Sequence, residues 1–279
     1  MKWILILGLN LIVGCNALQT IADGKTKIPK DFNEGLGSGS TPDLTSGLVS
    51  FWNFNSADNT NPGGGTTNVS DFNNVNPLAI GLSGTPATSG AAIESTPSKV
   101  LSGQSLRCLF AGVVQNASAT FNFGSNTNFT IAMWLRFDAA PDSAAYVMEI
   151  KDASSVHHLF ITFDGGDNLL LEIKNNNATM DTIAIPINYT SNLNKWNHFV
   201  FVTDRSNSIT AYLNGSLSSQ SAITTNGYMY NFNKLGLCEF APAIFAGTYT
   251  GYLDSIGIWN KTLTENEVST LYNGNHQLD

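Results

Sequence analysis

The stretch FTIAMWLRF, residues 129–137, decides the fold class. Apolar side chains occupy every second position of it: Phe129, Ile131, Met133, Leu135 and Phe137. A repeat of two residues is the period of a β-strand with one buried face, because successive side chains of a strand point to opposite sides. The stretch therefore predicts a strand whose other face carries Trp134 and Arg136.

Later segments continue this pattern. Residues 159–163 and 169–173 alternate in the same way around the turn-forming sequence DGGDN at 164–168, which predicts a hairpin. Asn214-Gly215 marks a second hairpin, because this dipeptide tolerates the positive φ angles of a tight turn. The one predicted helix begins after Thr264, which has the spacing of a capping box with Glu267. Many short strands separated by turns predict an all-β sandwich.

Charge and composition narrow the range of partners. The 279-residue chain has 13 Lys plus Arg against 21 Asp plus Glu, a formal net charge of −8. A basic groove for phosphate groups would have to form against this overall field, so nucleic acid is not an expected partner. Hydrophobic residues make up 42% of the chain, which is enough for a packed core.

Four segments follow one another in chain order: GLVSFWNFN at 47–55, residues 129–137, WNHFVFV at 196–202 with YLNG at 212–215, and GYLDSIGIW at 251–259, which LTENEV at 263–268 follows. In this order they resemble the laminin-G-like, concanavalin-A-like jelly-roll domain. The resemblance implies an all-β, two-sheet antiparallel jelly-roll sandwich with one short C-terminal helix, and with rim loops that can hold ligands. The fold carries lectins, adhesion modules and some enzymes, so the resemblance does not fix the function.

The N-terminus predicts export. The apolar run at 3–13 is shorter than the roughly 20 residues that span a bilayer, as in a signal peptide. Leu11 to Cys15 resembles the lipobox of bacterial lipoproteins, which implies a signal peptide at 1–14, a lipidated Cys15, a flexible tether at 15–46 and the jelly-roll domain at 47–279. An ordinary secretory signal or a buried N-terminal strand is the alternative. We expect an exported, membrane-anchored lipoprotein at the cell surface or in the periplasm.

The two remaining cysteines are Cys108 and Cys238. In an exported protein such a pair predicts a disulfide. Two buried free thiols on separate strands are the alternative.

Catalytic carboxylate patterns are weak in this sequence. Hydrolases of the laminarinase type on the resembled fold place two glutamates and an aspartate on one strand, and the sequence has no Glu-x-Asp-x-x-Glu. The nearest candidates are Glu149 with Asp152, and Asp164 with Asp167. The second pair is expected to serve the hairpin turn.

Other catalytic arrangements are also not indicated. No Gly-x-Ser-x-Gly elbow occurs in the sequence. His157 and His158 are expected in a loop, where adjacent side chains of an extended chain point apart and cannot readily share a metal, and His198 is expected to be packed. We therefore expect no enzyme; the alternative is a polysaccharide-degrading enzyme that uses Glu149, Glu172 or Glu239.

The resemblance also implies a structural calcium ion, held by an aspartate of the last strand and by residues near the first. Asp254 matches the strand position, and Asn55 and Asp71 follow the first strand. Carboxylate and amide oxygens suit calcium, although Asn55 in place of an aspartate removes one negative charge. The alternative for Asp254 is a carboxylate that accepts backbone hydrogen bonds at the sandwich edge.

Aromatic side chains mark the candidate glycan site, because sugar faces stack on flat apolar rings. Three groups qualify: Tyr228, Tyr230 and Phe232 on one face of an alternating stretch, Trp134 with Arg136, and Tyr249 with Tyr252. Each of these aromatic residues is alternatively a packing residue of the core or rim.

The leading hypothesis is a surface-anchored, non-catalytic, lectin-like module that binds glycan or extracellular-matrix material. A tether behind a lipid anchor would hold the domain away from the membrane, where it would meet such ligands. The alternative is an envelope lipoprotein whose sandwich contacts a protein partner.

Overall fold

The computed structural model describes residues 42–55, 59–60, 66–72, 75–81, 92–94, 103–108, 113–124, 126–142, 145–152, 157–175, 179–224, 230–238 and 249–274. The strands are β1 (Leu48–Trp52), β2 (Asn59–Thr60), β3 (Thr66–Val69), β4 (Leu78–Gly81), β5 (Ala92–Glu94), β6 (Ser105–Cys108), β7 (Val113–Gly124), β8 (Phe129–Phe137), β9 (Tyr146–Lys151), β10 (His157–Phe163), β11 (Asn168–Asn175), β12 (Thr179–Pro186), β13 (Trp196–Asp204), β14 (Ser208–Leu213), β15 (Ser216–Ala222), β16 (Tyr230–Leu237) and β17 (Gly251–Trp259). The helices are α1 (Tyr189–Asn192) and α2 (Glu265–Asn273).

Two large antiparallel sheets make up the sandwich. The eight-stranded sheet has the order β15-β14-β13-β8-β17-β6-β5, and β1 also pairs with β17. The six-stranded sheet has the order β12-β11-β10-β9-β16-β7. Strands β2, β3 and β4 form a small third sheet. The predicted all-β jelly-roll sandwich is confirmed.

The hydrophobic core lies between the two large sheets. The alternate apolar residues of β8, from Phe129 to Phe137, are all fully buried in it. The six-stranded sheet contributes alternate residues of β10 and β11, such as Leu159, Ile161 and Leu171. The alternation of residues 129–137 thus has the predicted effect, one face in the core and the other facing outward.

Helix α2 covers part of the outward side of the eight-stranded sheet. Thr264 Oγ1 accepts a hydrogen bond from the backbone N–H of Glu267 (3.2 Å), and the Glu267 carboxylate accepts one from the N–H of Thr264 (2.7 Å). The predicted capping box is therefore present. The helix packs into a second apolar cluster, which contains Phe51, Ala132, Val200, Val202, Tyr212, Trp259, Leu263, Val268 and Leu271. These outward positions are apolar and need the helix to exclude water.

Two short local structures complete the sandwich. Asn214 and Gly215 adopt φ angles of 52° and 76°, which confirms the predicted turn between β14 and β15. Helix α1 is not predicted by the sequence analysis, since a single turn carries no apolar periodicity. It begins after Asn188, whose Oδ1 accepts a hydrogen bond from the N–H of Ser191 (3.1 Å).

A disulfide joins the two large sheets. Cys108 ends β6 in the eight-stranded sheet, Cys238 follows β16 in the six-stranded sheet, and their Cα atoms lie 5.5 Å apart. The bond closes a loop with a sequence separation of 130 residues.

The described residues include only the end of the predicted N-terminal region. The signal peptide, Cys15 and the tether up to residue 41 lie outside the described residues. Leu44, within the predicted tether, accepts a hydrogen bond from Trp259 Nε1 (2.7 Å) and packs against the cluster under α2. No helix in the described ranges is long and apolar enough to cross a membrane.

Candidate functional site

The centre of the outward side of the six-stranded sheet carries charged and aromatic side chains. Met148 and Ile150 of β9 point into the core, so Glu149 between them points outward. Phe160 of β10 is the register partner of Glu149 on one side and of Glu172 on the other. We call the surface formed by Tyr146, Glu149, Lys151, His158, Phe160, Glu172 and Lys174 the Phe160 face.

Glu149 is the ionic centre of the Phe160 face. Its side chain is 7% exposed, and its two oxygens contact Lys151 Nζ (2.6 Å) and His158 Nδ1 (3.0 Å). Burial alone would raise the pKa of Glu149, but the hydrogen bonds from His158 and Lys151 outweigh it and hold the pKa below its usual value. Glu149 is therefore a carboxylate at neutral pH.

Aromatic rings lie directly beside this ionic group. The Phe160 ring stacks on the His158 ring, with centroids 5.0 Å apart and planes at 10°. The Tyr146 ring lies 5.3 Å from Phe160, and Lys174 Nζ lies 5.2 Å from the Phe160 centroid. Burial, with Glu172 and Glu149 nearby, raises the pKa of Tyr146 to about 12, so its hydroxyl stays a neutral donor.

The Phe160 face combines the groups that sugar recognition requires. Sugar hydroxyls both donate and accept hydrogen bonds, and this face offers donors in Lys151, Lys174 and Tyr146 and carboxylate acceptors in Glu149 and Glu172. The apolar face of a sugar ring packs on aromatic carbon, which the partly exposed Tyr146 supplies, whereas Phe160 is 6% exposed and supports the ring of Tyr146 from below.

The same two glutamates bear on catalysis. Glu149 and Glu172 belong to β9 and β11 with Phe160 of β10 between them, so their backbones are about 10 Å apart, two strand spacings. A catalytic pair needs its carboxyl groups about 5 to 5.5 Å apart for retention or about 6.5 to 9.5 Å apart for inversion, so the spacing alone does not decide, and a general acid also needs a raised pKa. The pKa of Glu149 shifts the other way.

The sequence predicts single residues of this face but not that they lie together. Glu149 and Glu172 appear there only as possible enzyme residues, and Glu239 lies outside the described residues. The expectation of a loop at His157 and His158 is wrong, because β10 begins at His157. The sequence signal for this face is the set of outward residues on three alternating segments, β9, β10 and β11. The pairing of these strands, which brings the residues together, is not encoded in the local pattern.

The structure describes only one residue of the predicted pair Tyr228 and Tyr230. Tyr228 lies outside the described residues, and Tyr230 is described only as the first residue of β16. Phe232 of the same group is 1% exposed and belongs to the core. Strand β16 pairs with β9, so Tyr230 belongs to the sheet that carries the Phe160 face.

Helix α2 covers Trp134, one residue of the predicted pair Trp134 and Arg136. Trp134 is 3% exposed, because Tyr272 of α2 stacks on it with ring centroids 5.8 Å apart and His198 lies 5.0 Å away on the same side of the sheet. Its ring offers no open face to a sugar, and His198 is packed as predicted. Arg136 is partly exposed.

Two other predicted groups have local structural roles. Tyr249 is buried and donates its hydroxyl toward the backbone oxygens of Arg136 and Tyr252, each at 2.9 Å. Asp164 accepts hydrogen bonds from the N–H groups of Gly166 and Asn168, both at 2.9 Å, so this aspartate serves the hairpin turn as predicted.

The predicted calcium ligands each bond to the backbone. The Oδ1 atoms of Asp254, Asn55 and Asp71 accept hydrogen bonds from the N–H groups of Ser255 (2.7 Å), Gln104 (3.1 Å) and Val75 (2.7 Å), respectively. Asp71 Oδ2 is buried without a hydrogen-bond partner, which fits a cation ligand. Within the described ranges, no group of three or more His, Cys, Asp or Glu could hold a metal. Calcium stays a prediction, with Asp71 as the residue that fits it best.

Comparisons with known proteins agree with this architecture. A family model described as the Concanavalin A-like lectin/glucanases superfamily matches residues 112–269, more than half of the chain. A search of curated proteins finds no match.

Solved structures share the fold at low sequence identity. The binding domain of Paraclostridial Mosquitocidal Protein 1 has a TM-score of 0.63 and 17% identity, over 83% of this chain and 53% of that chain. Botulinum neurotoxin type C, whose cell entry depends on interaction with two ganglioside molecules, has a TM-score of 0.62 and 12% identity, over 85% and 53%. Domain 4 of AbnA, a GH43 extracellular arabinanase from Geobacillus stearothermophilus in complex with arabinotriose, has a TM-score of 0.56 and 17% identity, over 81% and 98%. The chain spans about half the length of the two toxin structures and nearly all of the arabinanase domain.

Proposed function

Because the chain belongs to the concanavalin A-like lectin/glucanases superfamily, we propose that it is a non-catalytic, lectin-like module that binds glycan on the Phe160 face. One observation carries the proposal: Phe160 lies between two carboxylates, beside two further rings, on an outward sheet face.

The side chains of the Phe160 face suit a sugar ligand that is neutral or that carries charges of both signs. Lys151 and His158 already hold Glu149 in place, so the acceptor is positioned before a ligand arrives. A positioned group loses less conformational entropy on binding than a mobile one. Lys174 and Glu172, both partly exposed neighbours on β11, would contact the sugar from the adjacent strand.

The lowered pKa of Glu149 supports binding rather than hydrolysis at this face. Glu149 is held ionised by two cationic or hydrogen-bonding partners, whereas an acid catalyst has to keep its proton at working pH. Phe160 separates Glu149 from Glu172 in the strand register.

The location and ligand class extend the proposal. A lipid anchor on Cys15 and the tether at 15–46 would present the sandwich at the cell surface or in the periplasm, where glycan or extracellular-matrix protein would be its partner. Among the similar structures, the arabinanase domain binds arabinotriose and botulinum neurotoxin type C interacts with gangliosides, which supports a glycan ligand. Calcium near Asp71 and Asp254 would act as a structural ion of the adjoining loops.

The test is a glycan and matrix-protein array probed with the purified chain, once in calcium and once in EDTA. We expect binding that falls in Lys174→Ala and Glu172→Gln and is kept in Glu265→Gln, an exposed glutamate of α2. Loss of binding in EDTA would support a structural calcium ion that the binding site needs in order to keep its shape. Silence under both conditions overturns the proposal, and a stoichiometric partner in a pull-down would then favour the protein-contact alternative.

A further inference from the structure

The outward side of the eight-stranded sheet carries a second cluster of rings and charges. The strand register places Arg107 of β6, Tyr252 of β17, Arg136 of β8 and Trp196 of β13 side by side at one level. We call these four residues the arginine row. The next level of the same strands lies under Tyr272 of α2.

The arginine row is held rigidly by its own contacts. The guanidinium carbons of Arg107 and Arg136 lie 5.7 and 5.4 Å from the centroid of the Tyr252 ring. Glu94 fixes one end, because it accepts hydrogen bonds from Arg107 Nη1 (2.9 Å) and from the Tyr252 hydroxyl (3.1 Å). These contacts fix the positions of both arginines before any ligand binds.

Polar atoms along this row lack partners. Arg107 Nε, Trp196 Nε1 and Asp138 Oδ1 are buried and make no hydrogen bond within the described part of the chain. Arg136 Nη2 lies 3.6 Å from Asp138 Oδ1, which is too long for a hydrogen bond, and donates instead to Asn194 Oδ1 (3.1 Å). One buried acceptor and two buried donors therefore lie unsatisfied along this row, and such groups are costly unless a ligand or water pairs with them.

A sugar hydroxyl fits this arrangement better than an anion does. A hydroxyl beside Arg136 and Asp138, whose side chains are 18% and 26% exposed, would accept from the guanidinium and donate to the carboxylate, because it has both functions. A carboxylate or phosphate would be attracted by the two arginines but repelled by Asp138 and Glu94, whose charges cancel theirs. Trp196, which is partly exposed at the end of the row, supplies a ring beside the polar groups.

We propose that the arginine row is a second glycan site, specific for neutral polyhydroxylated sugars, on the side of the sandwich opposite the Phe160 face. The two sites belong to different sheets with the core between them, so one sugar unit cannot contact both. Two such sites would let one molecule bridge two glycan chains and would raise the avidity for a dense surface. The arginine row stands whether or not the Phe160 face binds glycan.

The experiment uses an array of neutral and acidic oligosaccharides, arabinotriose included, probed with the full chain and its variants. Trp196→Phe keeps the ring packing but removes the indole N–H, Arg136→Gln removes the guanidinium, and Asp138→Asn keeps the shape while removing the charge. We expect neutral-glycan binding that weakens about fivefold or more in each variant, the factor for one lost hydrogen bond. Glu265→Gln serves as the control, and thermal unfolding checks that each variant is folded.

The outcomes separate the two proposed sites. A signal that Lys174→Ala removes and Trp196→Phe keeps belongs to the Phe160 face and contradicts the arginine row. A neutral-glycan signal that Trp196→Phe and Arg136→Gln weaken supports the arginine row, even if Lys174→Ala shows that the Phe160 face is silent. Absence of any neutral-glycan binding, or binding only to acidic oligosaccharides, overturns the inference.

Discussion

The two outward sides of the sandwich keep their side chains from water in different ways. On the eight-stranded sheet, Ala132, Val200 and Trp259 are apolar and lie under α2. On the six-stranded sheet, the central outward positions include Glu149 and Phe160, which pair with neighbours on the same surface. An apolar sheet face needs a covering element, whereas a face of paired charges and rings does not. The covered part mainly stabilises the fold, and on the other side the partly exposed Tyr146, Glu172 and Lys174 remain available to a ligand.

Removal of the disulfide is expected to have the largest effect, because it joins the sheets that carry these two sides. Cys108→Ala with Cys238→Ala should lower the free energy of unfolding by about 2 to 5 kcal/mol, since the cross-link closes a long loop in the unfolded chain. Denaturant unfolding measures the change. Wild-type protein under reducing conditions is the control and should unfold at a similar denaturant concentration; an unchanged midpoint in both samples would contradict a stabilising role.

The next prediction concerns the cover. Leu271→Ala removes buried carbon between α2 and the eight-stranded sheet, so the free energy of unfolding should fall by about 2 to 4 kcal/mol. Asn266→Ala, at an exposed position of the same helix, is the control and should change it by less than about 0.5 kcal/mol. Glycan binding by the Phe160 face of the folded protein should survive Leu271→Ala. Similar losses of stability in the two variants would argue against packing as the source of the effect.

The side of the sandwich that carries Glu149 should respond to acid. The pKa of Glu149 is lowered from 4.5 in the folded protein, so its ion pairs stabilise the fold above that pH and this contribution is lost as the pH falls through the folded pKa. Glu149→Gln should therefore cost about 1.5 to 3 kcal/mol at pH 7, as for hydrogen bonds to charged groups, and progressively less as the pH falls from 4.5 through the folded pKa. Unfolding measured across this range checks the slope. A cost that stays constant with pH would show that the charge of Glu149 is not the cause.

The sequence could predict what is local and not what the register assembles. The alternation of residues 129–137 and the capping box at Thr264 are encoded within a few neighbouring residues, and both are confirmed. The Phe160 face depends on the pairing of β9, β10 and β11, with a register shift in β9–β10 after Ile161 that no local pattern reveals. Trp134 has the same limitation, because its cover, Tyr272, comes from a helix at the other end of the domain.

The smallest expected effect separates the formation of α2 from its packing. Thr264→Ala removes the side-chain oxygen that accepts from the Glu267 N–H, and loss of such a cap costs about 1 kcal/mol. The loss should be smaller than that of Leu271→Ala, because tertiary packing supplies most of the stability of a short helix. Thr264→Ser, which keeps the hydroxyl, is the matched control and should stay close to wild type. If Thr264→Ala were as costly as Leu271→Ala, the cover over the eight-stranded sheet would depend on helix initiation. Packing of α2 would then not be the main source of stability on this side of the sandwich.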